Sequence, residues 1–421
     1  MAFQQAKKYL AVTAIALGAA LVAASPLYAA GTSSSTDDPQ AAAPAAAPAP
    51  AAAPAAAPTW SVGPIDFSGL VDGYYNFNAN HPTYTGGDYP YGTQDRSFDT
   101  TSNGFALNMA KLTLSHGPDP VGFQVDLMFG PTANNNFPNQ IEQAYVAWKP
   151  TKGKGFEADF GQFVTSAGAE VIETMNNPNY SRSLLFQYLI PLYHTGLRTS
   201  VPVTKKETFG VQVVNGWNGW NGSDSNAGKT IGLTSLYTRT NYNWAINYYV
   251  GPENSNTDKG YRNLIDTTLN LTPASKAWAK WSAYINYDYV QNRNAAEIGS
   301  TGSYKTTTLT HDQGVAVEAR YQATGKAAFS GRYEYIYDAN GAVVNGITYG
   351  NLTIPKASID EFTVTYEYKM PEGLLARLEY RRDMSDNAIF VKGQDTGAAK
   401  NLVKDQSTLE LGVVAFFGPK R

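Results

Sequence analysis

From Ile65 onward, apolar residues recur at every second position over short stretches, for example in residues 121–130, 361–368 and 374–381. This period places successive side chains on opposite faces of a β-strand. No run of about 18 apolar residues follows Ile65, so helical membrane spans are not expected there. These observations predict an all-β chain.

The connections between the predicted strands are of two alternating kinds. About sixteen strands are predicted, with ends accurate to a few residues, including 277–290 and 313–322. Short turns such as residues 150–154 and 323–326 alternate with long polar loops. The long loops are predicted at 80–103, 131–139, 166–191, 217–227, 252–261, 291–312, 338–358 and 383–405. Such alternation is typical of an up-and-down antiparallel transmembrane β-barrel with short periplasmic turns and long extracellular loops.

The polar faces of the strands carry too many charges for a dry protein core. Glu318 and Arg320 share one face of a strand, as do Arg332 and Glu334. Unpaired charges are costly in an apolar interior but are compatible with a water-filled barrel whose apolar face meets lipid. The aromatic content of 13% fits interfacial girdles, and outer-membrane lipid is therefore an expected partner. An even strand number would leave both ends of the barrel on the short-turn side.

The N-terminal region has a different composition from the rest of the chain. Residues 1–30 combine Lys7 and Lys8 with an apolar stretch and small residues, which predicts a secretory signal peptide. Residues 31–59 are rich in Ala and Pro, which predicts a disordered linker lying in the periplasm. Residues 60–421 are then the barrel. A formal net charge of -3 argues against a nucleic-acid partner.

Several stretches resemble the β-barrel porin-2, or OmpL-like, family over roughly residues 65–417. They are VDGYYNFN (71–78), VGFQVDLMFGPTA (121–133), QAYVAW (143–148), DFGQFVTSAGAEVIE (159–173), NYSRSLLFQYLIPLYHTGLR (179–198), VVNGWN (213–218), NYYVGPEN (247–254) and RLEYRRDMSD (377–386). The resemblance implies a pore in a Gram-negative outer membrane and leaves its solute open.

The long loop 166–191 is predicted to fold into the barrel and narrow it. Loops of this length without an evident element of their own are uncommon and tend to be functional. Charged and titratable groups in and beside it are the candidate pore constriction: Glu170, Glu173, Arg182, His194 and Arg198. A ring of opposite charges across water would select solutes by charge and size. The alternative is that Glu170, Glu173, Arg182 and His194 form a structural network that fixes the loop.

A second set of charged residues is predicted to line the pore wall, as generic lining rather than as selectivity determinants. Its members are Asp126, Glu157, Asp159, Arg377, Glu379 and Arg381. The mixed signs of both sets indicate neither anion nor cation preference.

The sequence offers little support for an enzymatic or metal-binding function. The four histidines, His81, His116, His194 and His311, stand in no recognised catalytic signature, and no cysteine is present. The Asn- and Gly-rich stretch 215–226 lacks the ligand spacing of a calcium loop and is predicted to be an exposed flexible loop. No catalytic, cofactor-binding or metal site is therefore predicted.

The sequence thus predicts an outer-membrane porin for passive diffusion of small hydrophilic solutes, without enzymatic activity or cofactor. A homotrimer is the assembly considered. A surface adhesin or receptor barrel is the alternative function, followed by an outer-membrane hydrolase.

Overall fold

The computed structural model describes residues 61–84, 92–219, 226–298, 302–338, 357–370, 373–395 and 401–418. The predicted signal peptide 1–30 and linker 31–59 lie outside these ranges. Within them, no helix has both the length and the apolar character needed to cross a membrane.

Sixteen antiparallel strands form one closed sheet, which confirms the predicted barrel. The strands are β1 (Ile65–Asn78), β2 (Gly104–His116), β3 (Val121–Phe129), β4 (Ile141–Trp148), β5 (Glu157–Val164), β6 (Tyr193–Pro202), β7 (Glu207–Val214), β8 (Thr230–Thr238), β9 (Tyr242–Gly251), β10 (Arg262–Leu271), β11 (Trp281–Glu297), β12 (Tyr304–Gln322), β13 (Ala327–Asp338), β14 (Ala357–Lys369), β15 (Leu374–Ser385) and β16 (Asp405–Phe417). Each strand pairs with its neighbours in sequence.

The barrel closes between its first and last strands. β1 pairs with β2 on one side, with Leu70 opposite Lys111. On its other side β1 pairs with β16, from Gly69 opposite Phe417 to Asn78 opposite Thr408. Within the described strands, closure leaves this sheet no unpaired edge, as a sheet surrounded by lipid requires.

Short elements occur before β1 and in the connections between the strands. They are the two-residue strands Ser61–Val62, Thr83–Tyr84, Phe390–Val391, Gln394–Asp395 and Leu402–Val403, the helix α1 (Pro131–Asn136), the 3₁₀ turns Pro138–Gln140 and Thr174–Asn176, and the π turn Leu185–Leu189. The α1 helix occupies the predicted long loop 131–139.

One predicted loop is wrong. Residues 291–312 are largely strand, because β11 continues to Glu297 and β12 begins at Tyr304. The extension pairs Ala296 with Lys305 and Glu297 with Tyr304. Its strands lack the apolar alternation used to recognise strands, and residues such as Thr306 and Thr307 are exposed.

The alternation seen in the sequence separates the lumen from the outer surface. On β14, Phe362 and Val364 are 45% and 41% exposed, while Glu361 and Thr363 are fully buried. The same inversion holds on β15, where Leu378 is exposed and Arg377 is buried. Apolar residues therefore face outward toward lipid, and the interior is polar.

This orientation predicts that a charged side chain on the outer face destabilises the barrel. Val364 lies near the middle of β14, so Val364→Arg is expected to lower the free energy of unfolding by about 2–4 kcal/mol. Urea unfolding of the vesicle-inserted barrel, followed by its gel mobility, measures this change. The control is Val203→Arg in the exposed turn 203–206, where a cost of about 0–1 kcal/mol is expected. An equal loss for both variants would contradict the outward orientation of Val364.

Candidate functional site

The connection between β5 and β6, residues 165–192, reaches the opposite wall of the barrel. In the closed order, β13 and β14 stand eight strands away from β5 and β6. On β13, Glu334 accepts hydrogen bonds from the backbone N–H of Leu184 at 2.8 Å and of Leu185 at 3.2 Å. The segment therefore crosses the lumen, and we refer to residues 165–192 as the crossing segment.

Carboxylates of the wall and of the segment itself bind its backbone N–H groups. On β15, Glu379 accepts from Tyr180 at 2.6 Å and from Ser181 at 3.0 Å. Glu170 accepts from the N–H of Ser183 at 2.6 Å. Hydrogen bonds to ionised groups are stronger than neutral ones, so these contacts fix the position of the main chain.

Arginines of β15 bind backbone carbonyls of the same segment. The guanidinium of Arg377 donates to the carbonyl oxygens of Asn177 at 2.5 Å and Asn179 at 3.1 Å. Arg381 donates to the carbonyl oxygen of Arg182 at 2.7 Å. The guanidinium N–H groups thus donate hydrogen bonds to carbonyl oxygens that would otherwise be buried without partners.

Arg332 on β13 connects the segment to the wall most extensively. Its Nη1 atom lies 2.6 Å from Glu170 Oε1 and 2.8 Å from the carbonyl oxygen of Ser181. Its Nε atom donates to Glu361 Oε2 on β14 at 3.1 Å. Because these side chains are fully or almost fully buried, removing one partner would leave the others with uncompensated charge.

Arg182, predicted at the constriction, holds the segment's own backbone. It is fully buried and donates to the carbonyl oxygens of Tyr180, at 3.0 Å, and Ile172. Its guanidinium lies 4.5 Å from the ring centre of Phe98 in the first long loop. These contacts join Arg182 to the crossing segment and to the first long loop.

His194 is also buried rather than presented to the lumen. Its Nδ1 atom lies 3.0 Å from the carbonyl oxygen of Gly216, and its ring stacks on Tyr249 at 5.0 Å between centroids. Thr165 Oγ1 is 3.4 Å from its other ring nitrogen. This environment gives His194 a packing role at the start of β6.

Glu173 keeps partial access to the lumen. It pairs with Lys111 on β2, whose ammonium is also 2.7 Å from Glu142 and 3.3 Å from Asp126. Burial alone would raise the pKa of the Glu173 carboxyl, but the Lys111 ammonium holds that pKa below its ordinary value. The Glu173 side chain, 15% exposed, is therefore held in its charged form.

Arg198 on β6 is the most accessible of the five predicted constriction residues. Its side chain is 24% exposed, and its Nε atom donates to Asp159 Oδ2 on β5 at 2.7 Å. The guanidinium lies 4.6 Å from the ring centre of Phe163 and 5.1 Å from that of Tyr145. This stacking orients the cation while leaving part of it open to the lumen.

The six predicted wall residues divide between two sides of the barrel. Three of them lie on β15 and are buried against the crossing segment: Arg377, Glu379 and Arg381. Asp126, Glu157 and Asp159 lie on β3 and β5, where Glu157 pairs with Lys149 at 3.1 Å. The two sets are not brought together into one ring.

The first long loop also packs onto the crossing segment, a contact that was not predicted from the sequence. The N–H of Ser97 donates to Gln187, and Arg96 binds Asp383 on β15 at 3.0 Å. Burial, followed by the negative charge of Asp383, raises the pKa of the Asp95 carboxyl in this loop to about 7. The buried Phe98 was the available signal, as an aromatic residue in a polar loop.

The hydrogen bonds of the crossing segment leave one part of the wall free. Ser166 binds Gln212 on β7 and Asn247 on β9, and Thr174 binds Asp72 on β1. Among the described residues, the segment forms no hydrogen bond with β3 or β4. Glu173 and Arg198 stand on either side of this free part.

No group of His, Cys, Asp and Glu that could hold a metal ion occurs in the described ranges.

Comparison with known proteins gives one family and a set of distant structures. The sequence profile of the family described as "Putative beta-barrel porin-2, OmpL-like" matches residues 64–417. No curated protein matches the sequence of this chain.

Similar solved structures share the fold at low sequence identity. The outer membrane channel DcaP of Acinetobacter baumannii is 13% identical with a TM-score of 0.54, covering 84% of this chain and 97% of that one. An anion-selective porin from Comamonas acidovorans is 10% identical with a TM-score of 0.51, covering 84% and 99%. OmpT of Vibrio cholerae is 12% identical with a TM-score of 0.50, covering 87% and 99%.

Proposed function

Because the chain belongs to the β-barrel porin-2, OmpL-like family, it is an outer-membrane porin, a channel for passive diffusion, and we propose that small hydrophilic solutes cross it beside β3 to β6. The observation that carries the proposal is the distribution of hydrogen bonds from the crossing segment. They reach β1, β2, the start of β6, β7, β9 and every strand from β11 to β15. The path is assigned to the part of the wall that remains.

The narrowest part of this path is placed between Glu173 and Arg198. Both are charged, and both keep partial exposure, at 15% and 24% of their side chains. Glu170, Arg182 and His194, which are 4%, 0% and 1% exposed, are assigned to fixing the segment. Charged groups of opposite sign beside a narrow passage would filter solutes by charge as well as size.

The proposal extends to assembly and to the N-terminal region. A concave patch of about 370 Å³ on the outer face, between β1, β2 and β16, is lined by Tyr75, Phe105, Leu107 and Leu411. It supports a homotrimer by offering an apolar surface that a second copy could fill.

Residues 1–30 are assigned to export, and residues 31–59 to a periplasmic linker, because the barrel starts and ends on the short-turn rim. N-terminal sequencing of the mature protein tests the first assignment, and protease access from the periplasm the second.

No catalytic role is proposed, and solutes are expected to cross unchanged. A surface adhesin or receptor, and less directly a hydrolase, are the functions that a barrel without conductance would favour.

Single-channel recording of the refolded full-length protein in a planar bilayer tests the function. Stable conductance steps are expected, grouped in threes if the protein is a trimer. Arg198→Gln and Glu173→Gln should change the step size at low salt, where charges are least screened. Lys205→Gln in the exposed turn 203–206 is the matched control. Absence of steps from a folded, heat-modifiable barrel would contradict the porin function.

A further inference from the structure

The buried charges of the barrel are strongly unequal in sign. Among the described residues, eleven aspartates and eight glutamates are buried, against six arginines and no lysine. The whole chain has a formal net charge of only -3. Among the described residues, most basic side chains are exposed. With the exception of Asp360, which bonds Tyr333 on the outer face, these acids face the interior.

The buried arginines do not offset this excess. Arg332, Arg377 and Arg381 are bound to carboxylates and to carbonyls of the crossing segment. Arg96 and Arg320 are likewise paired with acids. Other buried carboxylates, such as Glu334 and Glu379, accept hydrogen bonds from backbone N–H groups, which carry no formal charge. The formal charge of the buried side chains therefore stays negative or, where acids hold protons, becomes neutral.

The proposed path carries the same sign. Lys111 faces three carboxylates, those of Asp126, Glu142 and Glu173, so this group stays negative even when one acid holds a proton. On the other side, the charge of Arg198 is offset by Asp159 at 2.7 Å. A passage lined by one dominant sign raises the local concentration of the opposite ion.

We propose that the channel is cation-selective, with small hydrophilic cations as its preferred solutes. This inference rests on the proposed pore and deepens it. Rings of acidic side chains are a common source of cation selectivity in pores. The distant anion-selective porin from Comamonas acidovorans shares only the fold, so its preference does not bear on this chain.

The test is the zero-current potential of the refolded full-length barrel in a neutral planar bilayer under a KCl gradient. We expect the sign that marks K⁺ as the more permeant ion. Replacing K⁺ by N-methylglucamine should reduce the conductance more than replacing Cl⁻ by gluconate. A potential of the anion sign, or none, would overturn the inference while leaving the porin intact. A folded barrel that conducts no ions would overturn both.

A charge variant locates the selectivity. Glu173→Gln removes one negative charge from the Lys111 group and should shift the zero-current potential toward the anion side. Asp119→Asn, in the exposed turn between β2 and β3, removes the same charge outside the lumen and should shift it much less. Equal shifts for the two variants would contradict selection beside Glu173. The wild-type potential remains decisive should the Glu173 variant fail to fold.

Discussion

Excision of residues 168–190 is expected to increase the single-channel conductance severalfold. These residues form most of the crossing segment, which spans from β5 to the wall at β13 and β15. Their removal replaces packed main chain by water, and the conductance of a pore depends on its narrowest diameter. The carboxylates and guanidiniums left on the wall become solvated, so the barrel itself should persist. Planar bilayer recording of the excised and intact proteins measures the change.

A shorter excision separates this effect from any loss of loop sequence. Residues 255–258 belong to the exposed connection between β9 and β10, so their removal should leave the conductance unchanged. Heat-modifiable gel mobility establishes that each variant is folded. Equal conductance of the intact protein and the 168–190 variant would contradict a constriction by the crossing segment while retaining the porin.

Arg332→Ala is expected to lower the free energy of unfolding by about 3–5 kcal/mol. The substitution leaves Glu170 and Glu361 buried without their shared partner, which lies at 2.6 and 3.1 Å from them. Breaking a buried charge pair costs more than the pair contributes, because the remaining charges stay desolvated. Urea unfolding in lipid vesicles, followed by gel mobility, measures this loss.

An exposed ion pair supplies the control for Arg332. Arg382 and Asp405 are 2.9 Å apart and both about half exposed, so Arg382→Ala should cost only about 0–1 kcal/mol. Adding Glu170→Gln to Arg332→Ala should recover part of the loss, because it removes one of the orphaned charges. Similar losses for Arg332→Ala and Arg382→Ala, without recovery in the double variant, would show that the buried network does not stabilise the barrel.

The strands were predictable because the two faces of each strand meet different environments. On β14, the alternation of Phe362 and Val364 with Glu361 and Thr363 is required by lipid on one side and polar lumen on the other. Where this requirement ends, the pattern ends too. The paired residues Ala296 and Lys305 extend β11 and β12 without apolar alternation, and this extension was predicted to be a loop.

The partners inside the lumen could not be predicted in the same way. Glu170 and Arg332 are 162 residues apart in sequence, and no local pattern connects them. Arg182 is a charged residue in a long loop, as expected of a group that faces the lumen, yet it binds carbonyls of its own segment. The sequence could indicate that charges gather in the interior, but which of them meet depends on how the crossing segment lies across the barrel.

The contacts of the crossing segment have a consequence for how the protein can diverge. Glu334, Glu379 and Arg377 bind peptide groups, which every residue type except proline supplies in full. Side chains of the segment that do not themselves bind the wall, unlike Glu170, can therefore be exchanged while the main-chain anchorage is retained. Proline at Tyr180 or Ser181 would delete a donor. Anchoring of the segment and filtering of solutes thus depend on different groups. The same barrel can therefore acquire new solute preferences while the contacts that hold the segment are kept.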